Sequence, residues 1–144
     1  MMFLAMNQID TPIFEIINPN ELYDPRGNGY SHIAVIPPNM RTIHIAGQGG
    51  ENKNSELSEY FDQQVQQVFY NIQHALASVH AQITDIAVLR ILIVEHDAKK
   101  HQALIQIMQD LWKNHAFPTC TLIPVPRLAL EGMQIEVEAT AYTA

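Results

Sequence analysis

The sequence predicts a single α+β domain in which two helices pack on one face of a mixed β-sheet. Two long segments, 57–81 and 98–114, carry apolar residues at the three- and four-residue spacing of amphipathic helices. Shorter runs rich in β-branched and aromatic residues lie before, between and after them and predict strands. This order of elements and the length of 144 residues indicate one domain with its own core.

Composition and charge exclude several classes of protein. Hydrophobic residues make up 47% of the chain and charged residues 16%, which is typical of a globular domain. The formal net charge is −7, and only eight Lys and Arg residues are scattered along the chain. Nucleic-acid binding needs clustered cations that neutralise phosphates, so we predict no nucleic-acid partner.

The single cysteine and the first residues bear on localisation. One cysteine, Cys120, excludes an intramolecular disulfide and is typical of a reducing compartment. The apolar start, residues 1–6, has no basic flank and is too short for a signal peptide or a membrane span. We therefore expect a cytoplasmic protein with no membrane partner.

The chain divides into an N-terminal extension, residues 1–28, and a main domain, residues 29–144. Within the extension, a short strand is predicted at 14–17. The loop that follows concentrates Asn, Pro, Asp and Gly, the residues that favour turns.

Two short strands are predicted at the start of the main domain, at 31–36 and 42–46. The connection at residues 37–39 reads Pro-Pro-Asn, which suggests a hairpin-like turn between them.

The first helix, 57–81, is the clearest element because its apolar stripe is long and regular. Asn54 or Ser55 is expected to cap its N-terminus. The strand at 86–94 is almost entirely apolar, which predicts a central strand buried on both faces.

The second helix, 98–114, follows Asp97, which is its expected N-cap. Strands are predicted at 120–125 and 133–141, and they complete the sheet.

Alternation in the last strand separates two kinds of side chain. Ile135, Val137 and Ala139 point one way, toward the helices, while Glu136 and Glu138 point the other way. The polar side is either a solvated sheet face or a carboxylate pair in a cleft. In a cleft, like charge and partial burial favour general acid–base chemistry.

Other candidate site residues have weaker signals. Arg90 interrupts the apolar strand 86–94 and needs an anionic partner, either a protein carboxylate or a ligand. Cys120 is a nucleophile only if a base lies beside it, and is otherwise a small, half-buried strand residue.

The glycine-rich run 46–50 offers N–H groups to an anion but lacks the Lys-Ser/Thr ending of a P-loop. The seven histidines show no metal-ligand spacing, so no metal site is predicted.

Five short motifs follow one another in a fixed order from residue 29 to the end of the chain. They are Gly29-Tyr30-Ser31, Ala46-Gly47-Gln48, the helix segment from Asn71-Ile72 to Leu76, Phe117-Pro118, and Ile135-Glu136-Val137-Glu138-Ala139. In order and spacing this set resembles the RidA (YjgF) family of reactive-intermediate deaminases, across most of the chain.

The resemblance implies a chorismate-mutase-like α+β fold and a homotrimer that binds small molecules in clefts between its subunits. Enzymes of this family hydrolyse imines and enamines to ammonia and a 2-oxo acid, with no cofactor of their own. In such an oligomer the polar side of the last strand would line an interface between subunits.

The resemblance also implies roles for individual residues. Tyr30 matches the tyrosine at the cleft wall, Gly47 the glycine whose backbone approaches the ligand, and Glu138 the glutamate that positions or activates water. Glu136, the other glutamate of this motif, is expected to support the structure or an interface between subunits. Ala46 stands where the family has serine, so a hydroxyl is missing.

The family's Pro-Ala-Arg-Ser motif reads Pro-Thr-Cys-Thr here, which places Cys120 where the arginine would bind a substrate carboxylate. Losing one partner of a desolvated charge pair costs about 2–5 kcal/mol, or roughly thirty-fold to several thousand-fold in binding. The chain thus resembles a branch that lacks this arginine. Either Arg90 or Arg127 could replace it, and Arg90 is favoured because Arg127 lies an odd number of residues beyond Cys120.

Two functions remain as hypotheses. The first is a cofactor-free hydrolase of imines, enamines or related reactive metabolites other than the standard 2-imino acids, with Glu138 acting on water. The alternative is a non-catalytic trimer that binds a small metabolite and has a regulatory role.

Overall fold

The computed structural model describes residues 13–144, so residues 1–12 of the predicted extension lie outside the described residues. The described chain forms six strands and two α-helices. They are β1 (Glu15–Ile17), β2 (Ile33–Val35), β3 (Arg41–Gln48), α1 (Phe61–Ser78), β4 (Ile86–Val94), α2 (Ala98–Trp112), β5 (Thr119–Val125) and β6 (Ile135–Thr143).

A four-stranded mixed sheet in the order β3-β6-β4-β5 forms the centre of the domain. β6 is antiparallel to both of its neighbours, and β5 is parallel to β4. The loop from β4 to β5 contains α2, as a parallel connection requires. Both helices pack on one face of this sheet, which confirms the predicted fold class.

The predicted hairpin between the second and third strands is wrong. β2 pairs with β1, with Ile17 opposite Ile33, while β3 pairs with β6, with Arg41 opposite Thr143. The prolines at residues 37 and 38 have no N–H to extend a ladder beyond β2. β3 instead obtains its hydrogen bonds from the last strand of the chain.

The sheet has two unlike faces, which we call the helix face and the open face. Leu89 and Ile91 of β4 and Ile135 and Val137 of β6 point to the helix face and are at most 1% exposed. This confirms the alternation predicted for β6. The prediction that β4 is buried on both sides is wrong for the single chain, because Val88 on the open face is 42% exposed.

The core lies between the helix face and the two helices. The predicted stripe of α1 is buried in it, and Phe69 of α1 meets Trp112 of α2 edge to face, with ring centroids 6.4 Å apart. Burying each such large apolar side chain contributes about 1.5–3 kcal/mol. Within residues 13–144, no helix is both long enough and apolar enough to cross a membrane.

Of the two predicted helix N-caps, the cap of α2 is confirmed and the cap of α1 is wrong. Asp97 caps α2 as predicted, because its Oδ1 accepts a hydrogen bond of 2.8 Å from the Lys100 N–H. Asn54 and Ser55 do not cap α1, which begins only at Phe61. Asn52 Oδ1 accepts the N–H groups of residues 54 and 56 and holds that segment in a turn.

Gln64 is a fully buried polar residue that ties α1 to the start of β6. Its Nε2 donates to the carbonyls of Ser58 and Gly132 at 2.7 and 3.0 Å, and its Oε1 accepts the Gln134 N–H at 2.9 Å. The amide therefore satisfies three backbone groups from two separate segments.

We expect Gln64→Ala to lower the free energy of unfolding by roughly 2–4 kcal/mol, because it leaves buried backbone groups without partners. Urea unfolding followed by circular dichroism measures this. Gln66→Ala, on the same helix but only half-buried, is the control and should cost less than about 0.5 kcal/mol. Equal losses in the two variants would contradict the role assigned to Gln64.

Candidate functional site

A cavity of about 360 Å³ opens beside β5 on the helix side of the domain. Its wall is formed by the segment at residues 23–30, by α2 and by β5, and it includes Tyr30 and Cys120, two of the predicted substrate-binding residues. Tyr23, His101 and Met108 also line it.

Backbone contacts bring Tyr30 to Cys120 across a long stretch of sequence. The next residue, Ser31, is buried, forms an isolated parallel bridge with Thr119, and donates its N–H to the Pro118 carbonyl at 2.9 Å. Gly29 lies directly on α2 with a φ of +76°, and a Cβ there would come within 3.1 Å of Met108 Cβ. A side chain at this position would push the segment off the helix.

Cys120 points to the helix face. It lies opposite the buried Leu89 and packs against the core. Burial raises the pKa of its thiol to about 12. The group is therefore a neutral thiol at physiological pH, and a neutral thiol is a poor nucleophile. Cys120 is better suited to lining a cavity than to covalent catalysis.

Glu138 and Arg90 lie on the open face, opposite each other on neighbouring strands. Arg90 Nη1 donates to Glu138 Oε2 at 2.9 Å, so the anion that Arg90 needs is a protein carboxylate. Both side chains are about half exposed, at 57% and 45%. The carboxylate is held in one orientation and still reaches solvent.

Gly47 lies beside Glu136, at an irregularity in the pairing of β3 with β6. A side chain at residue 47 would collide with the Glu136 side chain, so glycine allows Glu136 to lie against the β3 backbone in this position. Glu136 therefore packs on the β3 backbone next to the Arg90–Glu138 pair.

Within one chain the predicted site residues form two groups on opposite sides of the sheet. Tyr30 and Cys120 line the cavity, whereas Gly47, Arg90 and Glu138 lie on or beside the open face. Arg127, the other candidate to replace the missing arginine, lines a different cavity, together with Glu95 and Leu128. Neither arginine lines the Cys120 cavity.

Two features of the site were not predicted. Tyr23 lies in the extension and His101 in α2, and neither had a motif or spacing that would connect it with Cys120. A larger cavity of about 650 Å³ between residues 50–58 and α1 contains none of the predicted site residues. Across residues 13–144, no group of three or more His, Cys, Asp or Glu side chains could hold a metal ion.

The fold and the cavity define a small α+β protein with a ligand-sized site beside its edge strand. Residues 24–143 match the model of the family described as endoribonuclease L-PSP. The chain therefore belongs to this family, whose solved structures include the Rid and RidA proteins. This confirms the RidA (YjgF) resemblance and the fold that it implied.

Solved structures support the same assignment. A Rid-family protein of unknown function, YyfB from Yersinia pestis, is 32% identical with a TM-score of 0.84, over 89% of this chain and 97% of that one. RidA from a Psychrobacter species is 24% identical with a TM-score of 0.64, over 71% and 80%. Escherichia coli TdcF with bound serine is 17% identical with a TM-score of 0.65, over 76% of this chain and 85% of that one. The likeness to RidA and TdcF shows the fold alone. A search among curated proteins found no significant match.

The Arg90–Glu138 pair should contribute little to the stability of the fold, because both side chains are half exposed. In a double-mutant cycle of Arg90→Ala and Glu138→Gln, we expect a coupling energy of about 0.2–1 kcal/mol. Urea unfolding of the four proteins gives this value. A coupling above about 3 kcal/mol would mean that the pair behaves as a buried structural bridge.

The Cys120 thiol should make stability depend on pH in the alkaline range. Its pKa is higher in the folded chain than its ordinary value of 9.0, so the unfolded state loses the proton first. The stabilisation is complete below about pH 9 and decreases as pH rises from 9 toward 12.

Urea unfolding of the unsubstituted protein and of Cys120→Ala at pH 8, 9 and 10 measures this effect. The stability difference between them should decrease by about 1 kcal/mol from pH 9 to pH 10. A difference that stays constant from pH 8 to pH 10 would contradict the burial-raised pKa.

Proposed function

We propose that this protein is a cofactor-free hydrolase of imines, enamines or related reactive metabolites other than the standard 2-imino acids. The observation that carries the proposal is the Glu138 carboxylate, which Arg90 holds at 2.9 Å on an exposed sheet face. A fixed, solvent-accessible carboxylate is suited to orienting a water molecule and accepting its proton.

The proposed chemistry needs only this carboxylate and water. Glu138 accepts a proton from water while the water oxygen bonds to the imine carbon and the C=N electron pair moves to nitrogen. Glu138 returns this proton to the nitrogen, which gives a neutral carbinolamine. The carboxylate then accepts the hydroxyl proton and delivers it to the amine nitrogen, so that the C–N bond breaks, the C=O bond forms and ammonia leaves. The products are a carbonyl compound and ammonia, and no oxidant or reductant is required.

Cys120 supports the restriction on substrate. The position that holds a carboxylate-binding arginine in the family here carries a thiol whose pKa is raised to about 12 by burial. The Arg90 guanidinium is already paired with Glu138, and Arg127 lines another cavity. A substrate carboxylate would thus meet no cation at Cys120, which disfavours 2-imino acids.

We propose that the two groups of site residues are brought together by assembly. Members of the family are typically trimers. In a homotrimer, the cavity with Tyr30 and Cys120 of one subunit would adjoin the open face with Gly47 and Glu138 of the next. Val88 and Ile123 are exposed apolar residues on that face, at 42% and 39%, and burying them would favour such an interface. Cytoplasmic localisation and the absence of a nucleic-acid partner remain predictions.

The alternative is a non-catalytic trimer that binds a small metabolite and reports on it to other proteins. The Arg90–Glu138 bond favours this alternative, because it occupies one oxygen of the candidate catalytic carboxylate. Saturable ligand binding with no turnover across a panel of imines would establish it.

A turnover assay on freshly generated imines tests the proposal. Ammonia release from imines without a carboxylate should be faster with the protein than in buffer. Glu138→Gln should lower this rate by roughly 10²- to 10⁴-fold, the contribution typical of general acid–base catalysis. Glu131→Gln, an exposed substitution of the same type, is the control and should retain the rate.

The same assay includes 2-imino acids and the variant Cys120→Arg. We expect weak activity on 2-imino acids in the unsubstituted protein and a gain of roughly thirty-fold or more in the variant. Strong activity of the unsubstituted protein on 2-imino acids would overturn the proposed restriction. Full activity of Glu138→Gln would overturn the assigned role of the carboxylate.

A further inference from the structure

The Cys120 cavity differs from neighbouring cavities in its charge. Among the described residues that line it, none is Asp, Glu, Lys or Arg. Three other cavities each include charged side chains: Glu56 and Asp62 in one, Glu95 and Arg127 in another, and Asp24 and Arg26 in a third. Apart from His101, the described side chains that line the Cys120 cavity are thus uncharged, and most of them are apolar.

The body of the cavity is aliphatic. Ile91 and Leu122 lie on its sheet side and Leu104, Ile105 and Met108 on its helix side, and all belong to or border the core. Its volume of about 360 Å³ falls at the small end of ligand sites, which span roughly 300–1,000 Å³. A volume of this size suits a small metabolite.

The hydroxyl groups of two tyrosines lie together at this cavity. The hydroxyls of Tyr23 and Tyr30 contact each other, and the two rings meet edge to face with centroids 6.5 Å apart. His32 holds Tyr23 in place. Its Nε2 lies 2.8 Å from the Tyr23 carbonyl oxygen, and the centroids of the two rings are 5.2 Å apart. The pair can both donate and accept hydrogen bonds without carrying a charge.

Tyr23 reaches the cavity because the extension is attached to the main domain. Asn18 Oδ1 accepts the His32 N–H at 2.8 Å, and Asn18 Nδ2 donates to Ser31 Oγ at 3.3 Å. The Tyr23 side chain is 62% exposed, so it lies at the outer edge of the cavity and not in its interior.

We propose that the cavity binds a small uncharged molecule with a branched or aromatic apolar body and one carbonyl or imine group. The polar atom of that group hydrogen-bonds to the Tyr23–Tyr30 hydroxyl pair, and Tyr23 of the extension is a specificity-determining residue. This inference rests on the proposed function and defines its substrate class. His101 is the one described lining side chain that can carry a positive charge, so a carboxylate in the same position would lose its hydration without an Arg or Lys partner, which is unfavourable.

Two stable probes with the same apolar body test the charge preference: 4-methylpentan-2-one, which is neutral, and 4-methyl-2-oxopentanoate, which carries a carboxylate. Each is titrated into the full-length protein while backbone amide NMR shifts are recorded. The ketone should bind saturably and shift the amides of Gly29, Tyr30 and Cys120, and the keto acid should bind at least tenfold more weakly.

Several outcomes would overturn the inference. They are equal or tighter binding of the keto acid, no saturable binding of the ketone, and ketone-induced shifts confined to the open face near Glu138. His101 is the lining side chain that can carry a positive charge, so it needs its own variant. Keto-acid binding that is tight in the unsubstituted protein and lost in His101→Gln would show recognition by an imidazolium and would also overturn it.

Tyr23→Phe tests the hydroxyl while keeping the ring. Ketone affinity should fall roughly three- to tenfold, the effect of one net hydrogen bond. Tyr60→Phe is the matched control, since Tyr60 is exposed at the start of α1 and does not line the cavity. Equal ketone affinity in Tyr23→Phe and Tyr60→Phe would show that the Tyr23 hydroxyl does not contribute to binding.

The failure of this inference is distinct from the failure of the proposed function. If imine hydrolysis depends on Glu138 but the ketone does not bind, only the inference about the cavity is wrong. If the ketone binds as expected but no imine is hydrolysed, the cavity inference stands and the proposed hydrolase activity is wrong.

Discussion

The position of β6 in the middle of the sheet is the constraint on which the rest of the structure depends. The last strand of the chain inserts between β3 and β4 and pairs with both. The sheet is therefore complete only when the C-terminal residues are in place, and Gln64 fixes their entry from α1. Because β6 alternates strictly between apolar and polar residues, it also defines which face the helices cover.

This two-faced sheet explains why the candidate site is divided in a single chain. Cys120 lies opposite Leu89 on the helix face, and Glu138 lies opposite Arg90 on the open face. A side chain cannot change face without a shift of register by one residue, and the paired core residues prevent such a shift. The assembly proposed above would combine the apolar cavity of one chain with the Glu138 carboxylate of another.

The charges of the two regions complement this division. Arg90 and Glu138, the charged pair of the candidate site, neutralise each other on the open face. The cavity has no formal charge among its described residues, and burial keeps the Cys120 thiol protonated. The polar residues that line the cavity are Tyr23, Tyr30, His101, Asn28 and Thr121. This distribution of charge supports the proposed preference of the cavity for neutral molecules.

Sequence alone determined the elements of the fold, because hydrophobic periodicity reports which face of a helix or strand is buried. The limits of β4, the Asp97 cap and the opposite orientations of Ile135 and Glu136 all followed from local pattern, and ordered motifs indicated the family. Tertiary structure alone decided the strand partners, the exposure of Val88, and the positions of Tyr23 and His101 beside Tyr30 and Cys120. These depend on contacts between residues far apart in the chain, which leave no periodic signal in its sequence.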